Sequence, residues 1–218
     1  MNSNVLLQVE DLTFGYEEDP VIKNVSLEVR GGEILLIDGR NGVGKTTLLK
    51  CIANVLNSGK SIYYYGKEIY KNKDCLKDFS FVMSEDLLYD YMTMEENIEF
   101  FQNLFREDSD YRARVNSYVT MFGISEYTNK LVKSLSQGTR NKLYIAIMLS
   151  KKHNLLLLDE PFTALDKKTQ DIILQHVEEY KKEKTRAVIM VTHIQQFKKI
   201  ATNVYEMGGN ENDNACSD

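Results

Sequence analysis

Apolar and polar residues alternate loosely over Leu6–Phe14 and again over Ile22–Val29, which predicts two strands. Gly31-Gly32 ends the second. Ile34–Ile37 is a short apolar run with no polar face, as expected of a parallel strand covered on both sides. Lys45–Leu56 reads as a helix, and Ser61–Tyr65 and Phe79–Met83 read as strands. The pattern then changes period. Thr93-x-x-Glu96 is a capping box, and Ile98, Phe101, Leu104 and Phe105 follow at helical spacing. Tyr111–Phe122 is a second helix, and residues 90–150 are expected to be wholly helical. Strands return at Leu155–Leu158, Ala187–Val191 and Asn203–Glu206, with the charged helix Lys167–Lys182 between the first two. Strand–helix alternation predicts an α/β fold with a parallel sheet. The organisation is a β-rich start, an α/β core and a helical insertion, without internal repeats. Residues 208–218 are polar and acidic and are expected to form a disordered tail.

Composition narrows this picture. With 218 residues the chain is one large domain, or one domain with a subdomain. Lys+Arg 27 against Asp+Glu 32 gives a net charge of −5, so charge draws the chain neither to nucleic acid nor to an anionic membrane. Three scattered cysteines, Cys51, Cys75 and Cys216, make no disulfide framework and suit a reducing compartment. The N-terminus lacks the pattern of a signal peptide. Aliphatic runs such as Leu155–Leu158 are far shorter than the roughly 20 residues of a membrane span. The expectation is a cytoplasmic protein with no direct membrane insertion.

The chemistry is concentrated in two places. Gly39-Arg40-Asn41-Gly42-Val43-Gly44-Lys45-Thr46 fits G-x-x-x-x-G-K-[ST], between a buried strand and a helix. Glycines let such a loop turn successive amides inward around phosphate oxygens, and the helix dipole adds positive potential. Gly39, Asn41, Gly42, Gly44, Lys45, Thr46 and Thr47 are the expected phosphate-binding set. Lys45 reaches the β- and γ-phosphates and Thr46 can ligate Mg²⁺. The second place is the apolar strand Leu155–Leu158, which ends in Asp159 and Glu160. Two carboxylates there are costly unless positive charge meets them. Asp159 is expected to hold Mg²⁺ and Glu160 to act as general base toward the attacking water.

On these residues and on Leu135-Ser136-Gln137-Gly138-Thr139, the sequence resembles the nucleotide-binding subunit of an ATP-binding cassette (ABC) transporter. The last stretch is similar to the family signature LSGGQ at Leu, Ser and the second Gly. The resemblance covers about residues 5–207. It implies a P-loop NTPase with a RecA-like core, an antiparallel β subdomain and an inserted helical subdomain at about 90–150, all within one domain over 1–207. It also implies a head-to-tail pair of subunits, in which Ser136 and Gly138 of one cap the γ-phosphate held by the other. Phe162–Asp166 resembles the loop joining the paired sites, His193 the γ-phosphate contact, and Tyr16 the aromatic that stacks on adenine. His153 and His176 match nothing and are expected to be structural or exposed. One departure stands out. Where the family has a glutamine near Mg²⁺ and the water, this chain has Ser84, followed by Glu85.

The resemblance implies an ATPase using ATP and Mg²⁺, working with a second ATPase subunit and with separate membrane permease subunits. It would then lie on the cytoplasmic face of the membrane. Leu87–Met94 is the expected permease contact, and the compact cassette suggests export. Two alternatives are a nucleotide-dependent regulatory module with weak hydrolysis, suggested by Ser84, and a soluble, non-transport ABC ATPase.

Overall fold

The computed structural model describes residues 5–16, 19–162 and 164–208. The expected tail after Gly208, with Cys216, lies outside these residues, as does Thr163 of the Phe162–Asp166 loop.

Two sheets form the frame. Strands β1 (Val5–Phe14), β2 (Ile22–Arg30), β4 (Ile62–Tyr64) and β5 (Lys67–Glu68) make an antiparallel sheet in the order β2-β1-β4-β5. Strands β3 (Ile34–Asp38), β6 (Phe79–Val82), β7 (Leu155–Asp159), β8 (Ala187–Val191) and β9 (Asn203–Glu206) make a parallel sheet in the order β6-β7-β8-β3-β9. The apolar strands of this sheet are apolar because both faces are covered. Leu156, Leu158, Val188 and Met190 pack toward the helical side. Leu155, Leu157, Ala187 and Ile189 pack toward the antiparallel sheet and helix α1 (Lys45–Ile52). All four leucines of β7 are essentially solvent-free. Each contributes about 1.5–3 kcal/mol of burial.

Between β6 and β7 lie α2 (Met94–Phe105), α3 (Tyr111–Met121) and α4 (Gln137–Ser150). The capping box forms as the sequence dictates. Thr93 Oγ1 accepts the Glu96 N–H at 3.2 Å, and a Glu96 carboxylate oxygen accepts the Thr93 N–H at 2.7 Å. The stretch is not wholly helical. Gly123 takes a left-handed φ of 70° and closes α3 with the Ile124 N–H bonded to the Val119 carbonyl. From there to α4 the chain runs through turns and two short 3₁₀ helices, and Leu131 bridges to Thr93. Helix α1 also stops short of the expected Leu56. Asn54 turns left-handed (φ 53°), and the Val55 N–H returns to the Lys50 carbonyl. Helix α5 (Lys167–Glu179) ends in a 3₁₀ turn at Tyr180–Lys182, and a short α6 (Gln195–Lys198) comes after β8.

Candidate active site

The carboxyl ends of β3, β7 and β8 deliver the site. β3 leads into Gly39, whose φ of 145° and close approach admit no side chain: a Cβ there would lie 2.4 Å from the Met207 carbonyl oxygen. The Gly39 N–H bonds to its neighbour's carboxylate, Asp38 Oδ1, at 2.9 Å. Lys198 grips the other oxygen of Asp38 and holds that carboxyl below its ordinary range. The loop then reaches α1, where no side chain caps the helix and no acid lies in its first turn. Its leading amides and the positive end of its dipole are therefore offered to an anion. Lys45 is buried, with its ammonium donating to the carbonyls of Gly39 at 2.7 Å and Arg40 at 3.0 Å.

Thr46 joins this loop to β7. Its hydroxyl donates to Asp159 Oδ1 at 3.0 Å. Asp159 is 2% exposed, and burial, reinforced by the charge of Glu160, lifts its carboxyl above the ordinary carboxylate range. Glu160 takes a left-handed backbone (φ 50°), uncommon for a residue with a side chain, and its N–H bonds to the Val191 carbonyl at 3.0 Å. This turn brings its carboxylate against the loop after β8. Glu160 Oε2 accepts the His193 N–H at 3.3 Å. His193 Nε2 lies 3.1 Å from Oε1, which is buried and makes no hydrogen bond of good geometry. The chain just after each group meets in a stack, the rings of Phe162 and Phe197 lying with centroids 3.9 Å apart.

A cavity of about 500 Å³ opens here, lined among others by Asn41, Gly42, Gly44, Lys45, Thr46, Thr47, Glu160 and His193. Its size suits a small-molecule ligand. Gly39 and Asp159 stand behind the lining and hold it. Tyr16 is 61% exposed at the rim, with its hydroxyl 3.5 Å from Thr47 Oγ1 and its ring edge-on to Phe14. Val21 also lines the cavity, and nothing in its sequence context marked it. Neither Ser136, Gly138 nor Ser84 lines it. Ser84 is exposed just beyond β6. Ser136 caps α4, its hydroxyl accepting the Thr139 N–H at 3.2 Å and lying 2.9 Å from the Thr139 hydroxyl.

The donors at Thr46 and Asp159 are hard oxygens, which suits Mg²⁺. Among the described residues no cluster of three or more His, Cys, Asp or Glu side chains could hold a metal by itself. Mg²⁺ has no need of one, since it keeps several waters and shares phosphate oxygens. A second cavity, of about 560 Å³, borders His153, His176 and Arg186. Its arginines are paired, Arg114 to Glu107 and Asp108 and Arg186 to Glu183, and its histidines bond to Tyr180 and Tyr118. Each histidine thus holds a tyrosine within the fold.

A family model described as "ABC transporter" matches residues 22–163. The chain is 29% identical over 206 residues to the probable ABC transporter ATP-binding protein p29 of Mycoplasma pneumoniae, covering 89% of this chain and 84% of that one. It is 32% identical over 201 residues to the iron(3+)-hydroxamate import ATP-binding protein FhuC of Bacillus subtilis, covering 88% and 74%. Among solved structures, the ATP binding subunit of an ABC transporter superposes with a TM-score of 0.84 at 24% identity, covering 93% of this chain and 85% of that one. A dimeric ATP-binding cassette in a post-hydrolysis state with ADP and Pi superposes at 0.79 and 23% identity, covering 93% and 94%.

Proposed function

The chain belongs to the ABC transporter family as an ATP-binding, ATP-hydrolysing subunit, and from this premise we propose that its cavity between α1, Glu160 and His193 is where ATP is cleaved. The loop amides and the α1 terminus take the phosphates, and Tyr16 takes the adenine at the rim. Lys45 exchanges the Gly39 and Arg40 carbonyls for β- and γ-phosphate oxygens. Thr46 and Asp159 would hold Mg²⁺, which when bound supplies positive charge against the phosphate oxygens. Glu160 receives the proton of the attacking water while the water oxygen bonds to the γ-phosphorus and the bond to ADP breaks. His193 steadies the γ-phosphate and keeps Glu160 in place.

One observation carries this reading. Glu160 Oε1 is a buried acceptor that makes no hydrogen bond of good geometry, beside a phosphate-binding loop, and the proton of a water completes it. Glu160→Gln should lower turnover at least about 100-fold while ATP binding persists and an ATP-dependent dimer accumulates. Wild-type turnover in that variant refutes the assignment.

Ser136 and Gly138 lie away from the cavity of their own chain, which favours action on ATP held by a second subunit. We assign the domain as one unit over 1–207, with the helical stretch of about 90–150 inserted between β6 and β7. No helix among the described residues is long and apolar enough to cross a membrane, so membrane association would come through a permease. A groove of about 640 Å³ fits that partner. It is lined by Phe81, Met83, Leu87, Leu104, Phe105 and Met148, and Leu87 is 51% exposed. The expected contact Leu87–Met94 begins on this groove. FhuC is named for import, so the export expectation gains no support from it. Direction and substrate belong to the permease. Ser84, exposed and outside the cavity, favours slow hydrolysis as a second reading.

A further inference from the structure

Arg140 lies in the first turn of α4, one turn after the Ser136 cap. A cation there opposes the helix dipole, so helix formation alone gives no reason for it. Its partners do. Arg140 Nε donates to Asp86 Oδ2 at 3.1 Å and Nη2 to Asp86 Oδ1 at 2.9 Å, a two-pronged pair. Nη1 donates to Asp90 at 2.5 Å. The Asp86 side chain is only 6% exposed, so without Arg140 it would be a buried carboxylate lacking its cation.

The same acidic segment grips the chain on the other side of the Ser136 turn. The Val132 N–H bonds to the Met92 carbonyl at 3.0 Å and the Lys133 N–H to the Asp90 carbonyl at 3.0 Å. Lys133 also lies over the Tyr91 ring at 4.6 Å. Residues 134–139 are thus bracketed. Backbone bonds fix their start and the Arg140 fork fixes their end, both to the stretch 86–92, which runs from the apolar groove at Leu87 to the α2 cap at Thr93. The next hold on α4 is Lys142 on Asp166, the N-cap of α5, at 2.5 Å.

We infer that Arg140 is a positioning residue for hydrolysis: its fork on Asp86, with Asp90, sets where the Ser136–Gly138 turn stands relative to the groove-lining segment, and so whether that turn meets ATP on a second copy. The inference rests on the reading that Ser136 and Gly138 act on the other subunit's nucleotide. It assigns Asp86 the matching role.

The test uses the full chain with Glu160→Gln to stop turnover. Its ATP-dependent dimerisation is measured by sedimentation, and its ATP affinity as a monomer by a fluorescent ATP analogue below the dimerising concentration. Arg140→Gln and Asp86→Asn should each raise the dimer Kd at least about tenfold, and the double variant no further, as expected of one shared interaction. Monomer affinity for the analogue should stay within about twofold. Arg140→Lys, which keeps the charge without the fork, should recover part of the loss and carries the test should Arg140→Gln misfold. An unchanged dimer Kd in Arg140→Gln, with Ser136→Ala weakened, overturns the inference and leaves the signature reading standing. Equal losses of monomer binding and dimerisation make Arg140 merely structural and also overturn it. Unchanged dimerisation in Ser136→Ala overturns the signature reading and this inference with it.

Discussion

Acid should loosen this protein through two histidines, His153 buried and His176 partly so, rather than through its ion pairs. His176 Nδ1 lies 2.8 Å from the Tyr118 hydroxyl, and its Nε2 is buried without a partner. His153 places Nδ1 2.5 Å from the Lys151 carbonyl and Nε2 2.5 Å from the Tyr180 hydroxyl. Arg186 stacks over Tyr180 at 4.1 Å, and Lys151 borders the same cavity. Burial, with the charge of Arg186 added, pushes His176 down to about 4 and His153 down to about 3. Unfolded histidine titrates at about 6.5, so below that pH the unfolded chain binds more protons and stability falls. By pH 5 each histidine removes about 2 kcal/mol, about 4 kcal/mol together, from a total of roughly 5–15 kcal/mol. The assay is urea unfolding at pH 7.5 and pH 5.0, comparing wild type with His176→Phe. The variant strands the Tyr118 hydroxyl and loses about 1–3 kcal/mol at pH 7.5. Its further loss on going to pH 5.0 should be about 2 kcal/mol smaller than that of wild type. The comparison cancels every other titrating group. Equal acid losses in the two proteins refute the reasoning.

A close contact and the chemistry of one exposed position lead to two further outcomes. A Cβ added at Gly31 would lie 1.7 Å from the Lys184 carbonyl oxygen, so Gly31→Ala must shift backbone between β2 and β3 and should cost at least about 2 kcal/mol by urea unfolding, with m unchanged. Ser84→Gln restores the longer amide beside β6 and should raise kcat severalfold in a phosphate-release assay while KM for ATP stays put. Unchanged kcat removes the reading that Ser84 slows turnover.

The phosphate loop and the Asp159–Glu160 pair were legible because their chemistry demands fixed residues at fixed spacing after an apolar strand. The same holds for the Thr93–Glu96 cap, a contact between near neighbours. Contacts between distant segments left no such trace. Arg140 and Asp86 are far apart in sequence, and a charged residue on a helix ordinarily signals a solvated face. The Lys198 hold on Asp38 is hidden for the same reason. The overlong first helix and the supposedly continuous helical stretch failed at Asn54 and Gly123, where single left-handed residues stop a helix that periodicity would prolong. Strand β5 and helix α6 are too short to carry a period. Gln137 and Thr139 looked like departures from the signature, yet the Thr139 hydroxyl lies 2.9 Å from that of Ser136, a contact that the threonine side chain itself makes.

The stacked rings of Phe162 and Phe197 bear on how the site can be adjusted. Each is almost solvent-free, and each comes a few residues after a residue of the proposed site, Phe162 after Glu160 and Phe197 after His193. The proposed base and the proposed phosphate contact therefore share a keel. A push that swings one loop carries the other with it, and the spacing between proton acceptor and phosphate contact survives the movement. Tuning such an enzyme means shifting the whole pair toward or away from its nucleotide, and a substitution that retunes one member alone must first break the ring stack that joins the two loops.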